Sequence, residues 1–306
     1  MWHLYLPIAG NSINVLVIFS IGGFIGLLSG IFGVGGGFLM TPLLIMMGIP
    51  PTVAAASDSS QIVGASTSGT LAHYRMGNVD FKMGILLLIG GVVGGTAGVQ
   101  LIKLLRAMGN ADFLITITYV VMLGGVGGYM LLESLQGLRS VKQAQPIPKK
   151  ESGYAKMVKK LPFQTRFEKS GIELSILMPL FLGTLVGILA AIMGVGGGFI
   201  MVPVMVYLLR MPMHVVVGTS LFQILFTCIN VTIMQSATNH TVDFILALIL
   251  LLGSTIGVQF GAKISKKLKG DQLKILLAIL VLLVMTKMLF SLLLTPHILL
   301  AYKGGH

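Results

Sequence analysis

The stretch IFGVGGGFLMTP, Ile31 to Pro42, decides the fold, because IMGVGGGFIMVP repeats it from Ile192 to Pro203. The copies lie about half the chain length apart, and each interrupts a long apolar run. Glycine adopts the left-handed backbone that ends a helix, so a break is expected at the same place in two related halves. In secondary transporters, paired interruptions of this kind are the best sequence pointer to a binding site.

Working outward, hydrophobic residues make up 55% of the 306-residue chain and charged residues 10%. An ordinary soluble domain carries ~25% charge. The mean hydropathy is +0.95, more apolar surface than a soluble core absorbs, so lipid is the expected solvent. Ten apolar segments are expected, over 13–32, 37–49, 52–74, 82–105, 113–133, 172–193, 198–210, 214–236, 243–264 and 272–294. Most reach the ~20 residues that span a bilayer as a helix. The two directly after the glycine breaks, 37–49 and 198–210, do not, and each ends near proline, at Pro50–Pro51 and Pro212. Short helices at equivalent places are tolerated in a membrane where they line a cavity. The expected fold is an all-α polytopic membrane protein of two inverted five-segment repeats.

The duplication extends beyond the glycines. AASDSSQ (Ala55–Gln61) corresponds to VGTSLFQ (Val217–Gln223), GNVDF (Gly77–Phe81) to HTVDF (His240–Phe244), and GGTAGVQ (Gly94–Gln100) to GSTIGVQ (Gly253–Gln259). Order is kept throughout, which marks an internal repeat. Between the halves, Ser134–Ser170 holds nine of the 21 Lys and Arg residues. The positive-inside rule makes this linker cytoplasmic. The expected regions are a first transmembrane repeat over 1–133, a basic linker over 134–171 and a second repeat over 172–306. Counting crossings outward places Arg75, Lys82, Arg210 and Lys266 inside, Lys103 and Arg106 outside, and both termini in the periplasm. An odd number of segments per half inverts the second half relative to the first. The net charge of +12 is therefore read as orientation and lipid contact, with no nucleic acid as partner.

The candidate site begins with Gly33, Gly35, Gly36, Gly37 and their counterparts Gly194, Gly196, Gly197, Gly198. Bare backbone N–H groups at the start of the following helix suit an anion, although small residues also serve close helix packing. The loop lacks the Lys-Ser/Thr ending of a nucleotide-binding P-loop. Ser57 and Gln61 are one helical turn apart, as are Thr219 and Gln223, and these neutral groups can hold an oxyanion. Asp58 is the carboxylate inside an apolar segment and a possible proton-coupling group; Ser220 stands in its place in the second half. Gln100, Gln259, His73 and Arg75 are secondary candidates. One cysteine, Cys228, leaves no disulfide within the chain, and no His or carboxylate cluster has metal-ligand spacing. Neither a nucleophile–base pair nor a cofactor is expected, which disfavours an enzyme. The same composition is compatible with a channel, which needs no occluded site, or with a membrane scaffold.

GVGGGFLMTP, GVGGGFIMVP, the Ser57–Gln61 and Thr219–Gln223 segments and HYRMGNVD (His73–Asp80) resemble the TauE/SafE family of sulfite exporters, over roughly residues 20–265. The resemblance implies a bacterial inner-membrane transporter whose partner is a small sulfur-containing anion such as sulfite or a sulfonate. Some members of that family move other anions, and some import.

Overall fold

The structure, a computed structural model, describes residues 3–109, 111–140, 162–267 and 270–294. The basic stretch 141–161 within the expected linker lies outside the described residues. The first half starts with a hairpin of β1 (His3–Leu6) and β2 (Asn11–Asn14), followed by α1 (Val15–Phe32), α2 (Gly37–Met46), α3 (Pro51–Arg75), α4 (Phe81–Ala107) and α5 (Ala111–Ser140). The second half starts with β3 (Gln164–Phe167) and β4 (Ile172–Ser175), followed by α6 (Leu177–Met193), α7 (Gly198–Pro203), α8 (Met213–Asn239), α9 (Phe244–Ser265) and α10 (Gly270–Leu294). A π-helical turn, Val204–Leu208, extends α7. Each of the ten apolar segments thus carries a helix.

Val15–Phe32, Phe81–Ala107, Ala111–Tyr129, Met213–Asn239 and Phe244–Ser265 are long and apolar enough to cross a membrane. The 25-residue α3 has the length but carries a row of Ser and Thr, and it packs on α8 and α9. The outer faces of the long helices are apolar: Phe24, Val93, Phe244 and Phe260 are more than half exposed. Such a surface is soluble only in lipid, so the chain is a multi-pass membrane protein.

The sequence gives no sign of the hairpins. The segment expected to start at residue 172 begins its helix at Leu177, because Ile172–Ser175 pairs with Gln164–Phe167. Gly10 and Gly171, at φ +67° and +66°, stand in the two hairpin turns. Glycine holds that conformation without the Cβ clash that penalises other residues.

Contacts between the halves are reciprocal. Helix α1 packs along α9 as α6 packs along α4; α3 meets α9 as α8 meets α4; α3 pairs with α8, and α5 with α10. Glycines set the first two pairings. A Cβ on Gly26 would stand 2.5 Å from the Ser254 Cα, and one on Gly257 would stand 2.7 Å from the Leu27 nitrogen. Between α4 and α6, a Cβ on Gly90 would stand 2.8 Å from the Thr184 nitrogen, and one on Gly187 would stand 2.9 Å from the Gly95 nitrogen. Lipid tails solvate Leu as well as a protein interior does, so close backbone approach is the main source of helix affinity here.

Gly94→Leu and Gly257→Leu are each expected to cost ~2–3 kcal/mol by forcing these backbones apart. Gly125→Ala, where the space is open within 4 Å, should leave stability unchanged or raise it by up to ~1 kcal/mol. Thermal unfolding in detergent measures all three.

Candidate functional site

The two glycine breaks meet in the interior. Gly33 closes α1 at φ +73°, with its N–H on the Ser29 carbonyl, and Gly194 closes α6 at φ +71°, with its N–H on the Ala190 carbonyl. Gly36 and Gly197, at φ +85° and +76°, open α2 and α7. Every residue from 31 to 42 and from 190 to 203 is buried. Each loop packs on the other half. A Cβ on Gly33 would stand 2.6 Å from the Val217 Cα, and one on Gly194 would clash with the Ala55 backbone. The loops also touch each other: a Cβ on Gly37 would stand 2.8 Å from the Val195 Cα, and one on Gly198 would overlap the Val34 carbonyl. The side chains of Ile62 and Ile224 lie against Gly35 and fill the space beside it.

Polar groups are gathered around this apolar centre. Thr41 Oγ1 donates to Asp58 Oδ2 at 2.7 Å, while Asp58 Oδ1 is buried without a hydrogen-bond partner. The loop carbonyls are held from the opposite helix: Ser220 Oγ donates to Gly33 O at 2.7 Å, and Ser59 Oγ to Gly194 O at 3.2 Å. Gln61 is fully buried, and both atoms of its amide lack a partner. Gln223 is also fully buried; its Nε2 donates to Thr227 Oγ1 at 2.8 Å and its Oε1 is unpartnered. Gly91 leaves room for it, since a Cβ there would stand 2.7 Å from Gln223 Nε2.

Ser57 and Thr219 form links between the halves. The Asp243 N–H donates to Ser57 Oγ at 3.0 Å, and the Asp80 N–H to Thr219 Oγ1 at 2.9 Å. Each aspartate caps its own helix: Oδ1 of Asp80 accepts from Met83 N, and Oδ1 of Asp243 from Leu246 N. The second oxygen of each holds a hairpin turn of the other half. Asp80 Oδ2 accepts from Ser170 N at 3.2 Å and Ser170 Oγ at 2.5 Å. Asp243 Oδ2 accepts from Ile8 N at 3.1 Å and Ala9 N at 3.3 Å. The duplicated VDF, an aspartate ahead of an apolar helical run, is the N-cap signal that marks these residues. Their cross-half partners have no signal in one dimension.

The remaining candidates lie elsewhere. Gln259 Nε2 donates to Ser68 Oγ at 2.6 Å, well along α3 from the loops. Gln100 and Arg75 are exposed. His73 is buried at the end of α3, 3.4 Å from the Gly30 carbonyl. Nothing in the sequence singles out Thr41, whose counterpart in the second copy is Val202. Among the described residues, no group of three or more His, Cys, Asp or Glu side chains is placed to hold a metal ion.

Two interlocked helical halves in lipid, with helix breaks and neutral polar groups meeting at their centre, describe a polytopic membrane transporter. Residues 18–288 match the family described as Sulfite exporter TauE/SafE, and the chain belongs to it. It is 25% identical to the probable membrane transporter protein YunE of Bacillus subtilis (strain 168), over 91% of this chain and 98% of that one. Identity to the probable membrane transporter protein YjnA of the same organism is 26%, over 89% and 97% of the two chains. Sulfite exporter TauE/SafE family protein 3 of Arabidopsis thaliana is 26% identical over 41% of this chain and 28% of its own length. No solved structure matches the chain.

Asp243→Ala removes a helix cap and leaves two hairpin N–H groups without their acceptor. A loss of ~2–3 kcal/mol is expected, with Asp80→Ala similar. Chemical or thermal unfolding in detergent checks both.

Proposed function

We propose that the protein exports sulfite or a small sulfonate across the bacterial cytoplasmic membrane by alternating access between two inverted halves. Residues 1–133 and 172–306 hold the membrane segments of the halves; the basic linker 134–171, whose end supplies β3 and the hairpin turn of the second half, faces the cytoplasm, and both termini face the periplasm. The reciprocal helix pairings support this arrangement. So does the segregation of polar ends, since His73, Asn78, His214 and Lys266 line one pocket, all at positions the charge count assigns to the inside.

The observation that carries the reading is Gln61. Its amide is fully buried with neither atom paired. Leaving such a group unsatisfied costs ~1–3 kcal/mol, a cost that is offset when a polar solute arrives between the halves. Gln223 at the equivalent place and the orphan first-turn N–H groups after Gly36 and Gly197 supply the rest of an uncharged oxyanion cradle. Ile62 and Ile224 fill the space between the loops, so admitting the anion requires the halves to move apart. A site without a buried guanidinium releases its anion readily. At ~100 mV, inside negative, each negative charge gains ~2.3 kcal/mol on leaving the cell, so outward transport needs no coupling ion. Import of a related anion, or an anion channel, are the outcomes that the flux assay separates from this.

In proteoliposomes, Gln61→Leu combined with Gln223→Leu is expected to abolish saturable sulfite flux while leaving the unfolding temperature unchanged or higher. Leucine removes the unpaired Gln61 amide and the unpaired Gln223 Oε1 at nearly constant volume, and these gains offset the lost Gln223–Thr227 bond. Undiminished flux in the double variant would refute the site.

A second reading, proton-coupled exchange through Asp58, rests on the lone Oδ1 of that carboxylate and on the Thr41–Asp58 pair being replaced by Val202 and Ser220 in the other half. Asp58→Asn is then expected to lose the response of sulfite flux to an imposed pH gradient and to keep flux driven by voltage. An unaltered pH response excludes coupling through Asp58.

A further inference from the structure

A pocket of about 410 Å³ opens where the end of α3, the start of α8 and the end of α9 converge; it is lined by His73, Met76, Asn78, His214, Ser265 and Lys266. Its polar groups are an ammonium, two imidazoles, an amide and a hydroxyl, with no carboxylate among them. Two buried groups lack partners. His73 and Ser265 are each 1% exposed, and neither His73 Nδ1 nor Ser265 Oγ makes a hydrogen bond. Native interiors rarely leave such groups unpaired, so each calls for an explanation.

The opposite end of the molecule provides the control. By the correspondence of Ser57–Gln61 with Thr219–Gln223, His73 corresponds to Gln235, and by that of the glycine loops Gly30 corresponds to Ala191. His73 Nε2 lies 3.4 Å from the Gly30 carbonyl, and Gln235 Nε2 donates to the Ala191 carbonyl at 3.5 Å. Beyond that shared bond the ends differ. Gln235 Oε1 accepts from Asn239 Nδ2 at 2.5 Å, and Arg106 donates to the Asn239 carbonyl at 2.6 Å, so both amide atoms of Gln235 are paired. At the His73 end no such bond is made, and His73 Nδ1 and Ser265 Oγ stay unpaired in residues that line a pocket.

We propose that this pocket is a second, peripheral binding site for a small singly charged oxyanion that retains one O–H. The inference rests on the anion-transport reading and adds a capture site to it. The chemistry follows from the ring. With Nε2 donating to Gly30, a neutral His73 presents Nδ1 as an acceptor, which suits the O–H of a half-protonated oxyanion. Lys266, Asn78 and Ser265 donate to the remaining oxygens, and the one ammonium matches one negative charge. Twelve residues of helix separate His73 from Gln61, ~18 Å at 1.5 Å per residue, so both sites can be filled together. Lys266 is exposed and His214 half-buried, so both can be replaced without opening the core.

The test is calorimetric titration of the purified full-length protein in detergent with sodium sulfite, under nitrogen, with sodium chloride at equal ionic strength as control. Lys266→Gln and His214→Asn are each expected to weaken one sulfite-binding event at least tenfold. Lys267→Gln, an exposed neighbouring cation, and Gln61→Leu should leave that event in place. The proposal is overturned if the two pocket variants titrate as the wild type does. It is also overturned if Gln61→Leu removes all sulfite binding. Wild-type protein that carries sulfite in liposomes but binds none at the pocket sinks this inference and leaves the transport reading standing. Protein that neither binds nor carries sulfite sinks both.

Discussion

Backbone has to touch backbone at the centre of this molecule. Gly33 sits on Val217 and Gly194 on Ala55, with no room for a Cβ at either contact. Each loop ends one helix, starts another and fits against the opposite half in the same few residues. The left-handed turns at Gly33, Gly36, Gly194 and Gly197 make those three tasks compatible. A larger residue would strain the turn and push the halves apart in one step. The close glycine contacts of α1 with α9 and of α4 with α6 extend the same principle along the bundle. In lipid, packing contacts of this kind replace the hydrophobic driving force that a soluble protein uses.

The second organising feature is how polar groups are paired in an apolar solvent. Many of them tie one half to the other. Asp80 and Asp243 each cap a helix, hold a hairpin turn and meet a hydroxyl across the interface. Ser220 and Ser59 hold the loop carbonyls. Against that background some buried groups stay unpaired, among them Gln61, one oxygen of Asp58, one oxygen of Gln223, and His73 with Ser265 at one end. In the proposed cycle the central three serve transport, and the two at the end serve capture.

The doubled GVGGG, the ten apolar runs, the Ser57–Gln61 and Thr219–Gln223 match and the duplicated VDF are all legible in the chain, because each is local or a repeat of something local. The hairpins are not. Residues 11–14 and 172–175 are only four residues each and run directly into a membrane helix, too short for a strand pattern to show. Ser57 illustrates the harder limit. Its place beside Gln61 is legible; that its oxygen accepts from Asp243, far away in sequence, is not. The role of Thr41 is hidden for the same reason, since a threonine in a proline-bearing helix gives no sign that a carboxylate from the next helix lies against it.

The sequence by itself determined that the chain lives in lipid, that it is built twice and that the helices break at two matched places. Composition, periodicity and glycine conformation are properties of neighbours along the chain. The tertiary structure alone decided which hydroxyls bind helices together and which amides are left waiting, and that one end is sealed by Arg106 and Asn239 while the other opens on His73 and Lys266. Those outcomes depend on which groups meet across the two halves, and hydrogen bonding in a low-dielectric interior is decided by distances of a few tenths of an ångström that no linear pattern encodes.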